Sequence, residues 1–425
     1  MLAALAYRLR RFRRLFLLLA VIGPGLITSN ADNDAGGIAT YAQAGAEFGF
    51  RMLWLLVAVT ICLAVINEMG ARMGVVTGKG LADLIRERFG VRSTAFAMLL
   101  LLLANAFTTM AEFAGIAAGM ELLGVSRFVS VPLAGLLIWF LVVRGSYPLV
   151  EKVLLSIALV YLTYVVSGFL VQPDWGEVAR ASVVPQLTGS RAYVLLSIAL
   201  IGTTITPWMQ FYLQAAVAEK GIPNERLAYS RADVIVGSLV TDFVAFFIIV
   251  ATASTLFGHL SPAQLQNMQA ADYARALAPF AGRFATVLFA LGLVGASILG
   301  GSVVPLSTSY AVTEAFGWER GVDHPGREAP IFFGIFTGLI VVGALAVLIP
   351  EVPLVPLILL SQDVNGLILP AILIYMLVLL NDRRIMGRYV NGPVANLVGG
   401  VTVLAVITLT VLLLLSAIPG SPLAV

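Results

Sequence analysis

Two stretches of this chain place oxygen-bearing side chains inside otherwise apolar runs. The first reads Gly23-Pro24-Gly25-Leu26-Ile27-Thr28-Ser29-Asn30-Ala31-Asp32-Asn33-Asp34-Ala35-Gly36-Gly37-Ile38-Ala39-Thr40. A charge inside a membrane segment costs about 2.5–3.5 kcal/mol on insertion scales, so two close carboxylates there mark function. Gly36-Gly37 lets a helix unwind and turn backbone carbonyls toward a ligand. An acidic, unwound turn is a cation site by default. A plain kink with polar caps accounts for Asn30 and Gly36 but leaves Asp32 and Asp34 unexplained. The second stretch reads Gly202-Thr203-Thr204-Ile205-Thr206-Pro207-Trp208-Met209-Gln210. Pro207 removes one helix hydrogen bond and crowds the carbonyl of Thr203. The freed Thr203 carbonyl and the Thr206 hydroxyl are hard oxygen donors. Alone, this stretch reads more simply as a proline kink whose threonines bond back to their own helix.

The elements that must carry these stretches are membrane helices. Of the 425 residues, 60% are hydrophobic and 12% charged, about half the charge of a soluble globular domain, which excludes a soluble fold. Apolar runs of about 20 residues, each long enough to cross a bilayer, recur along the chain. They give eleven expected spans, at 16–46, 52–74, 94–123, 128–144, 150–171, 192–218, 232–257, 282–316, 329–350, 353–380 and 393–418. With the N-terminus cytoplasmic, 20 of the 26 Lys and Arg residues fall on the inner side and 6 on the outer, so the C-terminus lies outside. The basic start, Met1 to Arg14, reads as a cytoplasmic flank rather than a cleaved signal. The lone Cys62 excludes an internal disulfide, and two loop histidines, His259 and His324, exclude a histidine-rich metal cage.

The two interrupted spans are the first and the sixth. That spacing is the pattern of a transporter made of two inverted five-helix repeats, with substrate held between the unwound segments. The expected organisation is a basic N-terminus over 1–15, a first repeat over 16–171 and an external loop over 172–191. A second repeat over 192–380 and a connecting loop with a peripheral eleventh helix over 381–425 follow. The loops 172–191 and 258–281 read as short ordered caps.

The run from Gly23-Pro24-Gly25 to Gln43-Ala44-Gly45-Ala46 resembles the first helix of the Nramp family of divalent-metal transporters. Val75-Val76-Thr77-Gly78-Lys79, Ala111-Glu112, Pro173-Asp174-Trp175-Gly176 and Asp382-Arg383-Arg384-Ile385-Met386-Gly387 resemble it in register, over about residues 16–415. The resemblance implies an all-α LeuT-like fold and, usually, proton-coupled uptake of manganese and iron. It also implies Asp34 as a metal ligand, the Ala31 carbonyl as a ligand in some states, and Gln362 approaching the metal.

The departures carry information. The family's Asp-Pro-Gly-Asn is Asp34-Ala35-Gly36-Gly37 here, so the ligand Asn becomes Gly37. Its Met-Pro-His is Thr206-Pro207-Trp208, which removes the sulfur ligand and the histidine associated with proton movement. In the third helix the family's Asp becomes Thr109, while Glu112 remains. Sulfur favours softer metals, whereas carboxylate, carbonyl, hydroxyl and water suit magnesium, calcium and manganese. Loss of the Asn side chain is expected to enlarge the site, and magnesium keeps several waters. The pattern resembles the Nramp-related magnesium transporters. We expect magnesium as substrate with manganese as co-substrate, and uniport driven by the membrane potential.

Asp32 and Asn33 are further candidate ligands beside Asp34. Trp208, Glu112 and Asp242, an acid where the family has a small residue, are candidates for the ion pathway. Asp363 and Asn365 follow Gln362 and join the pathway set, or else cap the turn after Pro356. Gly300 and Gly301 are expected to allow close helix packing. No cofactor is implied, since the divalent ion enters as cargo. The expected surroundings are the lipid of a bacterial-type inner membrane; nothing points to nucleic acid or an obligatory protein partner. The competing readings are a proton-coupled manganese and iron transporter with an atypical site, a cation-coupled organic-solute transporter, a metal channel and a soft-metal transporter. Two acids in the first break argue against an anionic solute. An intramembrane enzyme is disfavoured, because no His-Glu-x-x-His, Gly-x-Ser-x-Gly or Gly-x-Gly-Asp motif occurs.

Overall fold

The computed structural model describes residues 32–144, 162–261, 264–265, 268–275, 282–319 and 328–416. All regular structure among them is helical. In chain order the helices are α1 (Ala35–Phe48), α2 (Leu53–Thr77), α3 (Leu81–Leu122), α4 (Arg127–Arg144) and α5 (Leu162–Leu170). Next come α6 (Trp175–Val183), α7 (Arg191–Thr204), α8 (Pro207–Glu219), α9 (Leu227–Leu256) and α10 (Ala270–Ala274). The remainder are α11 (Ala285–Phe316), α12 (Pro330–Leu348), α13 (Leu354–Asn381), α14 (Arg383–Met386) and α15 (Pro393–Ser416).

Nine helical stretches among the described residues are long and apolar enough to cross a membrane. One of them, Ala35–Thr77, joins α1 to α2 through a 3-10 turn at Gly49–Met52 and so holds parts of two expected spans. The expected fifth span lies partly outside the described residues, with α5 as its outer portion. α3 starts well before the expected residue 94, because an amphipathic segment precedes the apolar one. Gly90, at φ 77°, breaks the helical geometry between the two. That left-handed φ is one that side chains other than glycine rarely adopt. The loop 172–191 contains α6, capped by Asp174, whose carboxylate accepts from the Gly176 and Glu177 amides.

The second break falls where proline chemistry places it. α7 ends at Thr204, and Pro207 opens α8 at a position that needs no amide hydrogen. Ile205 and Thr206 lie extended between the two half-helices. α1 and α7 are buried along most of their length, as central helices must be. α9 packs on α1 and α2, and α3 packs on α11 and α13. The outer faces of α4, α12 and α15 carry exposed apolar side chains such as Leu136, Leu345 and Leu404, as a lipid-facing surface requires.

Small residues set the closest crossings. α7 lies on α13 through Gly202 and Gly366; a Cβ on Gly366 would sit 2.6 Å from the Ile198 carbonyl oxygen. A Cβ on Gly115 of α3 would sit 2.5 Å from the Ala35 Cβ of α1. Gly300 of α11 makes room for the Glu112 carboxyl, where an added Cβ would come within 2.6 Å of its Cδ. Gly301 beside it approaches Ile138 of α4 in the same way.

Many of the expected inner basic residues gather at one end of the bundle. Arg72 and Arg231 share Glu68, at 3.0 and 2.7 Å, and Arg72 also reaches Asn391 at 2.6 Å. Arg231 thus links α9 to α2 through Glu68. Arg88 pairs with Asp382 at 2.7 Å, and Arg86 donates to the Ala315 carbonyl at 2.9 Å.

Candidate cation site

Asp34 is the N-cap of α1. Its Oδ1 accepts from the Gly37 amide at 2.8 Å, which satisfies one of the orphan donors of a helix start. The Ala35 amide donates to Glu112 Oε2 at 3.4 Å. A proline at 35 would have no such hydrogen to give. Ala35 therefore ties α3 to the break, and the Glu112 carboxyl lies within interaction range of Asp34. Two buried acids at one helix N-terminus sit at the positive end of its dipole. Glu112 Oε1 has no hydrogen-bond partner.

Gly37 is placed differently from the expectation. Its amide is held by Asp34 and it lies inside helical α1, with no side chain to offer. The room expected from the lost side chain is not open either. The Asp32 carbonyl oxygen lies 2.8 Å from where a Gly37 Cβ would stand. A side chain at 37 would therefore crowd the Asp32 backbone.

At the second break Thr203 and Thr206 are buried, and among the described residues neither Oγ1 has a hydrogen-bond partner. Thr204, in contrast, is fully engaged, with the Leu200 carbonyl and the Tyr41 hydroxyl, each at 2.8 Å. Trp208 is fully buried; its carbonyl accepts from Ser307 at 3.3 Å and its Nε1 has no partner. Thr109, where the family carries an acid, closes its hydroxyl on the Asn105 carbonyl at 2.6 Å. That position offers no titratable group.

α13 brings Gln362 to the break. Its side-chain amide occupies the space beside Gly36, where an added Cβ would overlap it and lie 3.1 Å from Asp34 Oδ1. Gln362 Oε1 accepts from Asn365 at 3.2 Å, and Asn365 also donates to Thr108 of α3 at 3.0 Å. Gln362 and Asn365 are therefore buried inside the bundle and do not cap the turn after Pro356. Asp363, one residue on, points elsewhere. It lines a separate cavity of about 320 Å³ with Gln43, Glu47 and the start of α7. A helix turns about 100° per residue, so neighbours 362 and 363 cannot share a face.

Asp32 and Asp242 are buried, and all four of their carboxylate oxygens lack a hydrogen-bond partner. Asn33 donates to the Thr241 carbonyl at 3.3 Å, which joins the break to α9. Ala31 lies outside the described residues. Sequence reasoning missed Tyr41 and Thr108. Both show a readable signal, polar atoms on the helix face of a known site residue: Thr108 lies one turn before Glu112, and Tyr41 two turns after Asp34. Among the described residues, no group of three or more His, Cys, Asp or Glu side chains is placed to hold a metal ion. What lies around Asp34 and Glu112 is hydroxyl, amide and carbonyl oxygen, the donor types that hard cations take.

A buried helix start at Asp34 and a helix broken at Ile205–Thr206, in an all-helical bundle with an apolar exterior, fit an integral membrane transporter of the LeuT-like fold. Solved structures agree on the fold. A manganese transporter from Eremococcus coleocola, determined with an aromatic bis-isothiourea compound, superposes with a TM-score of 0.76 at 22% identity. That likeness covers 94% of this chain and 86% of the other. The nucleobase-cation-symport transporter Mhp1 gives 0.57 at 16% identity, over 95% and 92% of the two chains. The chain belongs to the Nramp family: the family model for natural resistance-associated macrophage protein-like sequences matches residues 25–416. The divalent metal cation transporter MntH of Aeromonas hydrophila is 30% identical over 418 residues, 94% of this chain and 96% of that one. MntH of Pectobacterium carotovorum is 30% identical over 419 residues, 95% of each.

Proposed function

We propose that this chain moves divalent metal cations across the membrane by alternating access, with magnesium favoured, manganese as co-substrate and no obligatory proton coupling. The coarser part, divalent-cation transport, rests on family membership and the retained Asp34. The finer part rests chiefly on Thr206. A buried, unpartnered hydroxyl stands where the family places a thioether. That exchange removes the soft donor that discriminates against hard ions. The ligands would be the Asp34 carboxylate, the Thr206 hydroxyl, the Gln362 amide oxygen and backbone carbonyls of the two breaks. Retained waters complete the shell, as magnesium prefers.

The loss of coupling is argued from Thr109 and Trp208, which leave no acid and no histidine at the two positions associated with proton movement. The clustered basic end would face the cytoplasm, with the C-terminus outside. Proton-coupled manganese transport is the second reading. It is favoured by the Glu112 carboxyl beside Asp34.

Isothermal titration of the purified protein with magnesium, manganese and cadmium tests the site. Asp34→Ala should abolish the high-affinity component of divalent binding. Unchanged magnesium binding in that variant removes Asp34 from the site. Cadmium binding far tighter than magnesium in the wild type contradicts the hard-oxygen reading.

A further inference from the structure

We propose a second divalent-cation position beside the first, between Asp32 of the first break and Asp242 of α9. It extends the reading of Asp34 as a substrate ligand without depending on it. The observations are geometric. Asp32 is 1% exposed and Asp242 is 3% exposed. Among the described residues no carboxylate oxygen of either residue makes a hydrogen bond of good geometry and neither residue takes part in an ion pair; the Thr60 hydroxyl of α2 alone comes within reach of Asp242. Each carboxylate lies in the field of the other. The Asn33-to-Thr241 bond fixes the two segments against one another directly beside both acids. The Tyr41 ring, tethered to Thr204, lies in the field of the same pair.

Two buried carboxylates with one hydroxyl within reach between them are poorly compensated for their lost hydration. A cation between them turns the liability into a site. Magnesium is commonly held by one or two carboxylates with waters filling the remaining positions. The pair supplies that donor set. Asn33 Oδ1, also buried and unpartnered, is a natural acceptor for a bound water. The position is distinct from the first because Asp32, Asp34 and Asp242 do not converge into one three-acid cage. Two ions can therefore bind at once, one at Asp32–Asp242 and one at Asp34. Mutual repulsion of two such ions would speed release.

Magnesium titration of the full-length protein in detergent, read as stoichiometry, tests this. The wild type should bind two ions, and Asp242→Asn should bind one. Asp32→Asn, on the opposite helix, should reproduce that loss and covers the case in which one variant does not fold. Asp34→Ala should lose the other ion. Full wild-type stoichiometry in both folded amide variants overturns the second position, while loss in Asp34→Ala alone leaves the transport reading intact. Loss in the amide variants but not in Asp34→Ala does the reverse. Occupancy that follows sodium and ignores magnesium also overturns the proposal.

Discussion

In the proposed reading Asp34 does two jobs that compete. As N-cap it holds the Gly37 amide at 2.8 Å; as a ligand it must offer oxygen to an ion. A carboxylate has enough lone pairs for both, whereas serine or threonine in the same cap has one oxygen and no charge. Thr206 sets the chemistry on the facing break. It caps α8 by position, yet its hydroxyl makes no cap bond and stays available. Thr206→Met should shift the site toward soft ions, raising the cadmium-to-magnesium affinity ratio by about tenfold, or roughly 1.4 kcal/mol. Competition of the two ions in titrations reads that ratio directly. A ratio unchanged within twofold would place residue 206 outside the ion's reach.

At the level of helices, the site depends on how closely α7, α13 and α1 approach. Gly366 meets the Ile198 backbone with no slack, since a Cβ would stand 2.6 Å from that carbonyl. Backbone cannot swing aside as a side chain can. Gly366→Ala should therefore cost about 1–3 kcal/mol of overpacking, seen as a lower melting temperature in detergent. The displaced α13 would carry Gln362 away from Gly36, so divalent affinity should fall in parallel. The α13–α14 corner is held differently, by Asp382, which caps Arg384 and pairs with Arg88. The Arg384 amide and the Arg88 guanidinium hold this carboxyl below its ordinary value. A depressed pKa means that the unfolded chain binds the proton first, so the bonds stabilise the fold above the ordinary carboxylate range. That contribution is lost as pH falls through the lowered value. Asp382→Asn should lower stability at neutral pH and show a shallower decline below about pH 4, measurable by thermal melts across an acid series.

For the whole molecule the question is what drives the ion. Two charges moved through 100 mV gain about 4.6 kcal/mol, enough for roughly a thousandfold accumulation without any other coupling. Vesicles holding the protein, a potassium diffusion potential and an internal pH dye should show magnesium entry that follows the potential, with no acidification. Magnesium-dependent acidification would sink the uniport proposal and promote the Glu112–Asp34 pair to a proton carrier. The same vesicles made with Glu112→Gln tell the two cases apart. A uniporter should keep potential-driven entry in that variant, and a proton-coupled carrier should lose it.

Composition and local chemistry were enough for the membrane class, the acids beside Gly36-Gly37 and the break at Pro207, whereas Glu112, Trp208 and the meaning of Thr206 came from the family resemblance. Each of the first three follows from a short-range cause: apolar run length, glycines next to acids, a proline's missing hydrogen. Three features depended on how helices cross. Asp363 reads as Gln362's companion in sequence, yet helical rotation sends it to another cavity. Gly37 reads as empty space, yet the Asp32 carbonyl folds over it. The junction of Asn33 with Thr241 spans 208 residues, and no local pattern encodes a contact of that separation. Pairing the acids of two distant helices is a property of packing, where glycine-lined crossings fix distances to fractions of an ångström. The sequence could therefore name the oxygens, while only the folded bundle could decide which of them face the same ion.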